Sequence, residues 1–158
     1  MEDTESDVYF SNEALTKFIN AQGRTIEKVI CHLWHNTFDK NSTIEIIDNV
    51  ELLFLDGKKL TIGCNAMGNG MDAIDFDYHQ TKIEIEKEYD GKIKIFAVDA
   101  SKTKMWEDVI GKQLKIVKLT KINNLYKADS LVIDFGEEKR EIQISPLDGL
   151  IIDYFEED

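Results

Sequence analysis

Short runs in which apolar and polar residues alternate recur along the chain, the period of a strand with one buried face. Residues 50–62, VELLFLDGKKLTI, carry two such runs with Asp56-Gly57 between them. Glycine takes a positive φ at no steric cost and aspartate tolerates one, so Asp-Gly between apolar runs predicts a hairpin. Val50, Leu52 and Phe54 share one face of the first strand, and Leu53 and Leu55 share the other. Apolar residues on both faces predict a strand covered on both sides. A degenerate copy recurs at residues 131–144, LVIDFGEEKREIQI.

Other elements follow from the same pattern. Ser11 is a credible N-cap for a helix carrying Leu15, Phe18 and Ile19 at the 3, 4 spacing and stopping near Gln22-Gly23. Residues 25–33 are enriched in β-branched side chains and predict a strand, and Ile44, Ile46 and Ile47 lead into the first hairpin. Turns are expected at 37–42 and 146–149, a flexible loop at 65–70, and a half-buried strand at 71–77. In residues 82–98, Ile83 and Ile85 alternate with Glu84 and Glu86, Asp90-Gly91 follows, and Ile93 and Ile95 alternate with Lys92 and Lys94. That order predicts a hairpin with glutamate facing lysine across its wet side. A short helical turn is expected at 103–110, with Met105, Trp106, Val109 and Ile110 inward and Gly111 as its stop. Strands around Leu114–Leu119 positions and at 150–155, and a turn at Asn123-Asn124, complete the reading.

The expected fold class is α+β, mostly antiparallel. Two pseudo-repeated helix-plus-strand units, at about 11–80 and 100–158, form a sandwich or open barrel with two short helices, linked by the 82–98 hairpin. The repeat rests on order: Gly23 matches Gly111, Phe54 matches Phe135, Ile62 matches Ile144, and Ile74-Asp75-Phe76 matches Ile152-Asp153-Tyr154. Residues 1–10 are expected as an acidic flexible tail and 11–158 as one globular domain.

Charge narrows the function classes. The 158 residues hold 19 basic and 31 acidic side chains, a net charge of −12. Glu2, Asp3, Glu5, Asp7, Asp153, Glu156, Glu157 and Asp158 are eight of those acids, and without them the balance is −4. This argues against nucleic-acid binding through an electrostatic footprint. No apolar run reaches the length of a membrane span, and no basic-then-apolar leader opens the sequence, so no membrane partner is expected and a cytoplasmic location is. Two cysteines do not make a disulfide framework.

Chemistry-bearing residues are sparse. Cys31, His32, His35, Cys64 and His79 are suitable zinc ligands by type, with Cys31 and His35 on one side of a strand and His32 on the other. Their spacing fits no metal motif, and both cysteines also read as small buried apolar side chains. Asn65, Asn69, Asp72, Asp75 and Asp77 offer oxygen donors without the calcium-loop spacing. Trp34, Phe38, Trp106 and Tyr126 read as core or rim. No nucleophile elbow, P-loop, dinucleotide fingerprint or HExxH is present. No cofactor is expected.

In general character, small size, acidity and the lack of a catalytic motif, the chain resembles the small acidic immunity proteins of bacteria. The resemblance implies a non-catalytic protein that binds and inhibits a more basic protein partner, a toxin or an enzyme. Asp72, Asp75, Glu84, Glu86 and Glu88 are the expected contact residues. Two alternatives stand beside it: an assembly subunit that forms a homodimer through an edge strand, and a small-ligand binder or hydrolase with a pocket between the repeats, lined by the histidine-bearing segments.

Overall fold

A computed structural model describes residues 8–38, 44–65, 69–145 and 149–156. Residues 1–7 of the expected tail at 1–10, and the parts of the expected turns and loop at 39–43, 66–68 and 146–148, lie outside the described residues. Residues 8–10 pair with residues 126–128 and Phe10 is buried, so this end of the expected tail is part of the fold. In chain order the elements are α1 (Asn12–Ala21), β1 (Ile26–Asn36), β2 (Ile44–Phe54), β3 (Lys59–Cys64), β4 (Met71–Ala73), α2 (Tyr78–Glu88), β5 (Ile93–Asp99), β6 (Ile116–Lys118), β7 (Lys121–Ile122), β8 (Leu125–Tyr126), β9 (Ser130–Asp134), β10 (Lys139–Ser145) and β11 (Gly149–Tyr154). The fold is α+β, with mostly antiparallel strands in a curled half-barrel sheet and two helices.

Local chemistry explains α1. The Ser11 hydroxyl accepts from the Ala14 N–H at 3.1 Å, Glu13 complements the first turn, and Gly23 leaves the helix at φ +90°. Ala14, Phe18 and Ala21 are buried and Leu15 packs beside them, while Ile19 is 65% exposed. The buried stripe therefore sits one step round from the expected Leu15, Phe18 and Ile19.

The β2–β3 hairpin forms where Asp-Gly predicts it. Gly57 has φ +85°, its N–H donates to Phe54 O at 3.0 Å, and the Asp56 carboxylate accepts from Lys58 N at 3.0 Å. Val50, Leu52 and Phe54 are buried as expected. Leu55 is 63% exposed, so the opposite face of β2 is not covered as far as the turn. At the second turn expected, Asn123 and Asn124 have φ of 51° and 68°. These are the signs a two-residue hairpin between β7 and β8 demands.

Residues 82–98 do not form a hairpin. Their first half is helix α2, capped where the Asp77 carboxylate accepts from Gln80 N at 3.0 Å, and their second half is β5. Glutamate, lysine and glutamine favour helix, and Tyr78, Ile85 and Tyr89 recur at helical spacing, so the Ile-Glu alternation was overridden. The stretch at 103–110 is a series of turns rather than an α-helix, with Trp106 N bonded to Thr103 O and Val109 N to Trp106 O. Trp106 and Val109 are buried from it, as expected.

The nine-stranded sheet runs β4-β3-β2-β11-β10-β9-β6, with β1 joined to β2 and β5 joined to β1. Strand β2 changes partners along its length: residues 49–53 pair with β3, and Ile47 meets β11 in the one parallel contact described. Asp48 has no counterpart on β1, where the register shifts between His32 and Leu33. Such a bulge bends a strand, and here it lies where the sheet hands over from β3 to β11. The handover needs a glycine: Gly149 has φ +73°, and a Cβ there would stand 2.6 Å from Ile47 O.

Each half contains a four-strand antiparallel path, β1-β2-β3-β4 and β6-β9-β10-β11. The first opens with a helix and the second with turns, β7–β8 interrupts only the second, and the linker is not a hairpin. The expected repeat is not confirmed. The main core gathers α1, the sheet interior and Trp106, and a smaller cluster of Ile85, Ile93 and Ile95 lies under α2 with Trp34, Phe76, Tyr78 and Tyr89 around it.

Candidate functional site

The five expected contact acids do not form one row. Asp72 is half-buried on β4, and Asp75 is exposed but paired with Lys17 at 3.2 Å. Glu84, Glu86 and Glu88 would have shared one face of a strand. On a helix each residue turns about 100°, so Glu84 and Glu88 share one flank while Glu86 stands roughly 200° round from either. Glu84 and Glu88 are exposed, and Glu84 accepts from Gln80 at 2.8 Å.

The sulfur and imidazole residues are also dispersed. Among the described residues no group of three or more His, Cys, Asp or Glu side chains is arranged to hold a metal ion. Cys31 is buried and Cys64 half-buried, and both belong to the main-core side. Burial pushes each thiol up to about 11, and the Asp48 charge adds to the shift at Cys64. Both are therefore protonated at neutral pH and poor nucleophiles. His35 lies 2.8 Å from Glu45 and edge-on to Phe96, and His79 is exposed at the start of α2.

His32 is the exception. It is buried, and Asn49 Oδ1 lies 2.7 Å from its Nδ1, with Asn49 itself buried. Asn49 Nδ2 donates to Asp48 Oδ2 at 2.9 Å, which turns Oδ1 toward the ring and makes His32 Nδ1 the donor. Phe76 and Tyr78 stack on the ring at centroid distances of 4.7 and 5.2 Å. Burial raises the Asp48 carboxyl, partly offset by the Asn49 bond and by His32. The arrangement fixes an imidazole as a general base requires. The residue is 3% exposed, so no substrate reaches it. The network is a polar pin joining β1, β2 and the approach to α2.

An apolar groove of about 290 Å³ lies beside α1, formed by Leu15, Phe18, Ile19, Val117, Leu119 and Tyr126 with Gln22. None of the histidines lines it.

Two features carried little sequence signal. Arg140 is 1% exposed, donates to Met105 O at 2.6 Å and Lys139 O at 2.9 Å, reaches Glu138 at 2.9 Å, and lies 4.5 Å from the Tyr154 ring centre. It ties the turns at 103–110 to β10 and β11. Phe96 and Val98, each 41% exposed, lie on β5, where the run Phe96-Ala97-Val98 breaks the alternation of the preceding residues.

No family model matches the chain, and no curated protein or solved structure matches it. No helix among the described residues is long and apolar enough to cross a membrane.

Proposed function

We propose that this chain is a non-catalytic binding protein whose partner is a more basic protein. The observation that carries the reading is the charge: 31 acids against 19 basic residues, with Glu84 and Glu88 exposed together on one flank of α2. A surface of one sign accelerates encounter with the opposite sign and adds salt-dependent selectivity. Both thiols are protonated at neutral pH, and the one buried histidine is closed to substrate, which favours binding over catalysis. The narrower form of the reading is an immunity-type inhibitor of a basic toxin or enzyme.

The test begins with affinity capture from the native host at low and then moderate salt. A captured basic protein is then purified, and its affinity for the chain is measured against salt and against Glu84→Gln/Glu88→Gln. The expected result is an affinity that falls with salt and falls several-fold in the double variant. Binding indifferent to both would overturn the electrostatic reading.

A further inference from the structure

α1 carries a wider apolar arc than the core covers. Ala14, Phe18 and Ala21 are buried, while Leu15 and Ile19 wall the groove of about 290 Å³, with Ile19 65% exposed. Val117, Leu119 and Tyr126 line it from the second half of the chain. Leu15 and Gln22 both line the groove, so it runs about 10 Å along the helix. Concave apolar surface bounded by a few placed polar groups is the form of a small-molecule site.

The two ends of the groove differ. Toward the C-terminus of α1, Gln22 Oε1 accepts from Val117 N at 3.3 Å and bridges the two walls. Toward its N-terminus, Phe10 N donates to Tyr126 O at 2.9 Å, which brings the β7–β8 hairpin against the start of the helix. Lys121 pairs across that hairpin with Tyr126, and its Nζ lies 5.9 Å from the Tyr126 ring centre. Lys118 and Lys127 are engaged by Asp134 and Asp129, whereas Lys121 meets no carboxylate among the described residues.

Charge selects the occupant. In a chain of net charge −12, residues 109–128 hold five lysines and no acid, and no carboxylate lines the groove. Glu13, the one acid of α1, stands about 200° round the helix from Leu15 and 4.0 Å from Lys17. The helix dipole is positive at the same end as Lys121 and negative at the Gln22 end. An apolar trough with positive charge at one end fits an apolar chain that ends in an anion.

We propose that this groove binds a small amphipathic carboxylate. Its hydrocarbon chain lies along Leu15, Ile19, Val117 and Leu119, and its carboxylate sits beside Lys121 at the Tyr126 end. The chain covers apolar surface that water otherwise meets, and the charged group stays at the rim, where it keeps part of its hydration.

The experiment is a titration of the full chain with decanoate below its micelle concentration, followed by amide chemical shifts in NMR. Saturable shifts are expected at Ile19, Val117, Leu119 and Tyr126. Across hexanoate, octanoate and decanoate, each added methylene that the groove covers is expected to tighten binding about fourfold. Lys121→Gln, at an exposed position, is expected to weaken decanoate several-fold and to leave 1-decanol binding unchanged. Ile19→Glu is expected to abolish decanoate binding with an unchanged circular-dichroism melt. Absence of saturable shifts at those amides overturns the proposal. So does decyltrimethylammonium binding as tightly as decanoate, or decanoate binding indifferent to Lys121→Gln.

Discussion

Helices α1 and α2 have nearly the same length and are held in opposite ways. α1 inserts its own apolar stripe, Ala14, Phe18 and Ala21, into the main core. α2 buries one residue of its own, Ile85, and is held at its start by Tyr78 and the preceding Phe76, both stacked on His32 of β1. A helix that owns its packing face announces itself in sequence. One that borrows its anchor from another strand does not. The contrast also assigns the two their parts: α1 belongs to the foundation of the fold, and α2 is a peripheral layer that presents Glu84 and Glu88 outward.

Breaking the anchors should reproduce that ranking. Phe18→Ala should cost about 3–5 kcal/mol in denaturant unfolding, the range for removing a buried aromatic, whereas Ile85→Ala under α2 should cost about 2 kcal/mol, the low end for its type. Equal costs would contradict the contrast. Asn49→Ala should cost about 1–3 kcal/mol, because the His32 Nδ1–H is left buried without its acceptor. A smaller loss would show that the polar pin does not hold α2.

Gly57→Val should cost about 1–2 kcal/mol from backbone strain alone. A Cβ there meets nothing within 4 Å, so no clash adds to it. An unchanged melt would mean that the turn relaxes. The smallest effect sharpens the comparison most. Ile83 is 63% exposed on α2, so Ile83→Ala should fall within about 0.5 kcal/mol of wild type by thermal melt. Were residues 82–98 a hairpin with Ile83 and Ile85 on one buried face, both alanine variants would cost alike.

These differences also show what the sequence made legible. Where a residue's own backbone preference decides, as at Ser11, Gly57 and Asn123-Asn124, the expected element formed in place. Where tertiary contact decides, the reading failed. Ile83-Glu84-Ile85-Glu86 has strand alternation, yet Asp77 caps it as a helix and the His32 stack seats it. Nothing local to Arg140 signals a buried guanidinium, because its partners Met105 and Tyr154 arrive from distant segments. The candidate site was less legible than the fold. Splitting Glu86 from Glu84 and Glu88 follows from the change of element, and His32 gains its place from Asn49, across the strand pair.

The most direct test of the peripheral status of α2 is native-state amide hydrogen exchange followed by NMR, comparing Ile85 in α2 with Phe18 in α1. The account predicts that the Ile85 amide exchanges through a local opening well below the global unfolding free energy, together with its neighbours in α2, while Phe18 exchanges only on global unfolding. Equal protection of the two helices would contradict it.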